Sequence, residues 1–381
     1  MNPLLARLQP YPFERMRGLL ADLAPRAGLK AIDLSIGEPK HATPQFIKDA
    51  LVAALDGLAS YPRTAGLDEL RQAIAGWLAR RYGIPAPDPA TQVLPINGSR
   101  EALFSFAQTV LAPGGKVVSP NPFYQIYEGA TLLAGCTPLY AENVAEHGDW
   151  DGVQLVYVCS PGNPTGRVLP LQEWKRLFEL SDRHGFVIAS DECYSELYYG
   201  KPSLGALQAA HQLGRAGFAR LVVFSSLSKR SNVPGMRSGF VAGDAALLKS
   251  FLLYRTYHGS AMSVAVQKAS IAAWGDETHV EENRRLYAAK YKAVLPLVRA
   301  PLDASMPDGG FYLWMRTPID DREFCRRLYR EQNVLVVPGS FLARDGRDGN
   351  PGRNRVRVAL VAPLEECVQA AERMMDLAKA L

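Results

Sequence analysis

No run of about eighteen or more apolar residues occurs anywhere in the chain, which argues against a membrane-spanning helix. Cysteine is scarce. Cys136, Cys159, Cys193, Cys325 and Cys367 are odd in number, scattered, and never spaced as a C-x-x-C pair. Neither a disulfide framework nor a metal site is expected from such spacing, and a reducing cytosolic setting is the natural reading. The opening MNPLLARLQPYPFER lacks a basic start, an apolar core and a small-residue cleavage site, so it does not read as a secretory signal. No internal repeat or low-complexity tract is visible, and the glycines and prolines are spread as punctuation. Neither sign of charge dominates: 43 basic residues stand against 38 acidic ones, with no long basic block. Nucleic acid is therefore not an expected partner, whereas small anionic molecules suit the mild excess of +5.

What the chain does have is length and alternation. Its 381 residues are too many for one small core, and 48% hydrophobic against 21% charged residues is a globular balance. From about residue 91, short apolar runs alternate with amphipathic stretches. The strand candidates are TQVLPI, KVVSP, TPLYAE, VQLVYVCS, FVIAS, RLVVFSS and RSGFVAG. Helical patterns lie between several of them, including REALFSFAQTVL, the stretch from Tyr124 to Leu133, and LQEWKRLFELSDRHG, where Gly185 is placed to cap the end. This alternation predicts an α/β fold with a mainly parallel seven-stranded sheet covered on both faces. After Asp276 the texture changes to a long helical stretch, FYLWM, DDREFCRRLYREQ, the strands NVLVVPG and RVRVAL, and a last helix. A smaller α+β domain over 279–381 is expected there. The N-terminal segment 1–43, with its strand-like AIDLSI, packs with it, and 44–278 forms the large domain.

Strands of an open α/β sheet deliver functional groups at their carboxyl ends. Here those ends read Asn97-Gly98-Ser99-Arg100, Asn163-Pro164-Thr165-Gly166, Asp191-Glu192-Cys193-Tyr194 and Ser226-Leu227-Ser228-Lys229. Lys229 leaves a buried strand, and burial makes a lysine amine less basic and more nucleophilic, as carbonyl condensation requires. Taken alone it reads more readily as an exposed lysine beside Arg230, and its neighbours reverse that balance. Its neighbours Ser226, Ser228 and Arg237, with Ser99 and the N–H groups at Gly98–Arg100 opening a helix, suit a phosphate. Asp191 is either a local turn carboxylate or the charge partner of a protonated pyridine nitrogen. Asn163 and Tyr194 can both hydrogen-bond a phenolate-like oxygen.

In this combination the chain resembles the fold-type-I pyridoxal-phosphate aminotransferases, class I/II. The matching stretches are SIGEP (35–39), YPRTAGLDELR (61–71), NGSREAL (97–103), PFYQIY (122–127), SPGNPTG (160–166), SDECYSE (190–196), SLSKRSNVPGMRSGF (226–240) and RVRVAL (355–360). They span nearly the whole chain in the family's order. The resemblance implies that Lys229 carries pyridoxal phosphate as a Schiff base and shuttles the substrate proton. It implies that Asp191 holds the pyridinium, Asn163 and Tyr194 the ring oxygen, and Tyr124 stacks on the ring. Ser99, Arg100 through its backbone, Ser226, Ser228 and Arg237 would bind phosphate. Tyr61 would reach the phosphate of a neighbouring subunit, which implies a homodimer. Arg357, beside the backbone of Gly37, would grip the substrate carboxylate; Arg353 and Arg355 are rivals on the same strand face, and the motif favours Arg357. Relatives usually carry a longer insertion where only VAEHGDWDG stands here, which puts the local crossover over 142–153 in doubt.

The opening MNPLLARLQPYPFERMRGLL and the segment FLLYRTYHGSAMS also look like the N-succinyldiaminopimelate aminotransferases of proteobacterial lysine synthesis. That implies 2-oxoglutarate and glutamate as the second substrate pair. Tyr257, His258 and Ser260 are candidates for reading the distal carboxylates. Aminotransferases of aspartate or acetylornithine and a pyridoxal-phosphate C–S β-lyase would share nearly every cofactor residue.

Overall fold

The computed structural model describes residues 1–381. Its twelve strands are β1 (Ile32–Asp33), β2 (Val93–Ile96), β3 (Lys116–Pro120), β4 (Thr137–Ala141), β5 (Val153–Cys159), β6 (Val187–Asp191), β7 (Leu221–Ser226), β8 (Gly239–Gly243), β9 (Tyr312–Arg316), β10 (Val334–Leu335), β11 (Val337–Pro338) and β12 (Arg355–Ala359). Seven of them form one sheet in the order β2-β8-β7-β6-β5-β3-β4. Every neighbouring pair is parallel except the two made by β8, which runs against both β2 and β7. Because β8 reverses twice, β2 again points the same way as β7. The carboxyl ends of β2, β5, β6 and β7 therefore open on one edge.

The sheet is apolar on both faces because its residues alternate between two cores. Val118, Val156, Val158, Ile188, Val223 and Phe240 face one core, closed by the helices Asp68–Tyr82, Leu171–His184 and Val264–Gly275. Val117, Leu155, Tyr157, Ala189, Val222 and Phe224 face the other, under the helices Ser99–Val110, Ile126–Leu133 and Ala245–His258. Phe106 meets both Phe224 and Phe251 edge-on there, at 5.5 and 5.4 Å. Helix Leu171–His184 ends where expected, with Gly185 in the left-handed region at φ 79° and its N–H on the Ser181 carbonyl. The helix expected from Tyr124 begins at Ile126, leaving Tyr124 in the loop above the sheet.

A third core joins the N-terminal segment to the C-terminal part. Ile32 and Leu34 pack with Leu313, Phe324, Val356, Val358 and Met374, and β1 pairs in parallel with β10. The run NVLVVPG, expected as one strand, is two. Val334–Leu335 serves β1, whereas Val337–Pro338 turns to pair with β12, and buried Val336 is the pivot. One edge cannot satisfy two partners lying in different directions, so the ladder breaks at that residue. The short crossover over 142–153 is closed by a single turn at Val144–Glu146. Trp150 then fills the gap, stacked on Phe186 at 4.8 Å.

Candidate active site

At the open sheet edge lies a cleft of about 760 Å³. Lys229, Asp191, Tyr194, Asn163, Ser99, Arg100, Tyr124, Ser226, Ser228, Arg237, Gly37 and Arg357 all line it. Tyr61 does not; it is fully exposed elsewhere on the surface.

Lys229 is the third residue of a one-turn helix, Leu227–Arg230, that springs from the end of β7. Its Nζ donates to the Gly37 carbonyl oxygen at 2.6 Å. Only glycine lets this segment lie against Tyr312, since a Cβ at position 37 would stand 1.8 Å from the Tyr312 hydroxyl oxygen. Burial lowers the Lys229 pKa to about 8, with Cys193 and Glu38 opposing and Arg357 and Arg237 reinforcing the shift. A free amine is the reactive form, so it becomes available as pH rises through about 8. Imine formation between Lys229 and a soluble aldehyde, trapped with borohydride and mapped by peptide, is expected to be half-maximal near that pH. A lysine in water would instead keep gaining reactivity up to about pH 10.4.

Asp191 closes β6 as a buried carboxylate with neutral partners only. Tyr127 donates its hydroxyl to Oδ2 at 2.7 Å, and the Cys193 N–H donates to Oδ1 at 3.2 Å. Desolvation pushes its pKa above the usual carboxylate value despite these bonds. A buried anion without a counter-ion is costly and calls for a cationic partner. Tyr127 is itself held flat against Tyr157 at 4.5 Å. Neither tyrosine stands out in the sequence, because no periodicity links Tyr127 to a carboxylate 64 positions away.

Opposite the carboxylate is an anion cradle. Helix Ser99–Val110 begins after Gly98, which offers no side-chain cap, so the first N–H groups of the helix remain open. Gly98 has φ 82°, and a Cβ there would lie 2.2 Å from Nη2 of Arg237, so the guanidinium and the helix start can meet only over glycine. Ser226 donates to Ser228 Oγ at 2.9 Å, and the Cys193 thiol donates to Ser99 Oγ at 3.0 Å. These hydroxyls and N–H groups fit a phosphate, and Asp191 fits a protonated ring nitrogen. Together they match pyridoxal phosphate.

Arg357 is 4% exposed, yet no carboxylate meets it. Nη1 donates to Asn163 Oδ1 at 3.1 Å and Nη2 to the Ser35 carbonyl at 2.8 Å, while Nε has no partner. Its face lies 4.5 Å from the Tyr312 ring, and the Tyr312 hydroxyl is hydrogen-bonded to that of Tyr194 at 2.9 Å. Arg355 begins the same strand, with its guanidinium over Trp314, and Arg353 sits in the preceding turn; neither lines the cleft. Of the three distal candidates, only His258 lines the cleft. Tyr257 points into solvent, and Ser260 is consumed by Arg255 and Asn97. Sequence reasoning assigned Arg100 through its backbone alone. Its side chain also reaches the cleft, with Nε donating to the Tyr124 hydroxyl at 2.7 Å.

The family model described as aminotransferase class I and II matches residues 30–374. Among solved structures, the chain is similar to an aminotransferase from Neisseria meningitidis at 55% identity and a TM-score of 0.96, covering 99% of this chain and 100% of that one. The aminotransferase AspB from Helicobacter pylori is similar at 35% identity and a TM-score of 0.91, covering 98% and 100%. An LL-diaminopimelate aminotransferase of Syntrophobacter fumaroxidans is 31% identical over 393 residues, which cover 98% of this chain and 97% of the relative. No helix is long and apolar enough to cross a membrane. The chain belongs to the class I and II aminotransferases, enzymes that depend on pyridoxal phosphate.

Proposed function

We propose that this enzyme moves an amino group between N-succinyl-LL-2,6-diaminopimelate and the 2-oxoglutarate/glutamate pair. The observation that carries the reading is Arg100: with Arg237 given to the phosphate, Arg100 and Arg357 are the two remaining cleft guanidiniums with no carboxylate of their own. Two such cations suit a substrate with carboxylates at both ends. Arg357 takes the α-carboxylate bidentately, where its planar fork sets the Cα orientation. Arg100, over the rings of Tyr11 and Tyr124, takes the far one.

Pyridoxal phosphate supplies the electron sink that acidifies the substrate Cα–H bond. Asp191 keeps positive charge on the ring nitrogen, because its buried carboxylate is stabilised by that charge. Lys229 Nζ, released from the Gly37 carbonyl, would take the proton from Cα and return it to the cofactor's aldehyde carbon, which lies across the substrate nitrogen from Cα. Tyr194 and Asn163 hold the ring oxygen. The enzyme acts as a homodimer, in which Tyr61 of the partner subunit completes the phosphate site.

The test is a half-reaction screen, following bleaching of the visible cofactor band with single amino donors. Succinyl-diaminopimelate and glutamate are expected to bleach it; a response to aspartate alone sinks the substrate assignment. The relatives named LL-diaminopimelate aminotransferase make the unacylated donor the natural rival, to be run beside it. Release of pyruvate from cystathionine would instead indicate a C–S β-lyase. Arg100→Met is expected to cost about 10- to 100-fold in kcat/KM with doubly anionic donors, the weight of a charge-assisted bond, and much less with norleucine. Steady-state kinetics with the two donor classes measure that ratio.

A further inference from the structure

The helix that carries Lys229 is a single turn, and a turn this short does not hold itself. Its last carbonyls have no partner within the helix. Those of Lys229 and Arg230 are capped by one side chain, Asn283, which reaches in from the helix Thr278–Val298. Its Nδ2 donates to the Lys229 carbonyl at 3.1 Å and to the Arg230 carbonyl at 3.4 Å. Its Oδ1 accepts from Asn232 Nδ2 at 3.1 Å and from His41 Nδ1 at 2.8 Å. Both amide hydrogens and both lone pairs are thus used, and Asn283 is 2% exposed. The amide orientation is fixed by its partners, since a flip would set nitrogen against two donors and oxygen against two carbonyls.

His41 belongs to the segment whose Gly37 carbonyl receives the Lys229 amine. Thr43 extends the link, donating to the Asn232 carbonyl at 2.8 Å. The segment 37–43 is therefore tied to residue 229 twice: by its carbonyl to the amine, and through His41 and Asn283 to the backbone. On the far side the Arg230 guanidinium lies against the packed pair Trp77 and Trp274, at 5.6 and 4.9 Å from their rings, and donates to the Ala273 carbonyl at 2.7 Å. The backbone around Lys229 is clamped from both sides. The asparagine is the clamp that holds the carbonyls of Lys229 and Arg230 and, through His41, ties them to the segment 37–43.

We propose that Asn283 is a positioning residue for the amino-transfer reaction, fixing the Lys229 backbone and, through His41, the place of its amine relative to the segment 37–43. A lysine stem is flexible, so a backbone displacement of a few tenths of an ångström moves the amine off the Cα–H direction without removing it from the cleft.

Two readouts separate positioning from mere support. The first uses cofactor-free protein: the rate at which Lys229 forms a borohydride-trappable imine with pyridoxal phosphate at pH 9. The second is the primary isotope effect with an α-deuterated amino donor. In Asn283→Ala, imine formation is expected to slow about tenfold, and the isotope effect to rise as proton transfer becomes rate-limiting. Asn283→Asp is isosteric and keeps the acceptor for His41 and Asn232 but turns an oxygen toward the two carbonyls; it should behave the same way. His41→Phe, which keeps a ring against Tyr287 and loses the donor, should show a smaller change in the same direction. A folded Asn283→Asp protein with wild-type imine formation and an unchanged isotope effect overturns the proposal. A lowered melting temperature with both readouts intact would reduce Asn283 to a structural cap.

Discussion

Replacing Lys229 with alanine is expected to lower turnover by at least about 10⁴-fold, because in the proposed mechanism it removes a nucleophile and a proton carrier in one step. The change deletes only a side chain whose polar contact is the Gly37 carbonyl, so folding should survive and the loss will belong to chemistry. Borohydride should leave no adduct on the variant, whereas in the wild type peptide mapping should place it at residue 229. Millimolar methylamine should restore part of the proton-transfer rate. A reduced adduct on another lysine of the wild-type protein would relocate the site altogether.

For Asp191→Asn the expected loss is about 10²- to 10³-fold in kcat, ~3 kcal/mol, the weight of one preorganised group at a developing charge. Stability should move the other way. Burial raises the Asp191 pKa in the folded protein, so folding is opposed by this carboxylate at pH values above its unfolded value, and that opposition grows as pH rises through the gap. The neutral amide escapes the penalty. Cofactor-free Asp191→Asn should therefore melt no lower than the wild type at neutral pH while its turnover collapses. A calorimetric scan beside a steady-state assay gives both numbers, and a parallel fall in melting temperature and rate would make Asp191 a structural residue instead.

The sheet could be read from the chain because parallel strands buried on both faces must be apolar throughout, and each ends in a polar cluster where the chain leaves the core. Asp191, Asn163 and the Ser226–Lys229 run were visible for that reason. Tyr127, Tyr312 and Asn283 were not. Each acts on a residue at least 54 positions away, and each sits inside a helix or strand pattern that explains it fully as packing. Arg100 was half-visible: the helix start gave its backbone, while the direction of its guanidinium depends on Tyr124 and Tyr11 meeting above it. The division of NVLVVPG was hidden because apolar content is the same whether a strand has one partner or two.

That divided strand has a mechanical meaning. β10 holds β1, and β11 holds β12 one residue later, while the Ala359 N–H donates directly to the Leu34 carbonyl at 2.8 Å. The strand bearing Arg357 and the segment bearing Ser35 and Gly37 are thereby sewn together, whereas Asn163 stands on the seven-stranded sheet. If the cleft widens, the seam keeps the Arg357–Ser35 bond and surrenders the Arg357–Asn163 and Lys229–Gly37 bonds, both of which cross to the seven-stranded sheet. Both jaws of the proposed carboxylate grip would swing as a single piece, leaving the sheet-borne floor where it was.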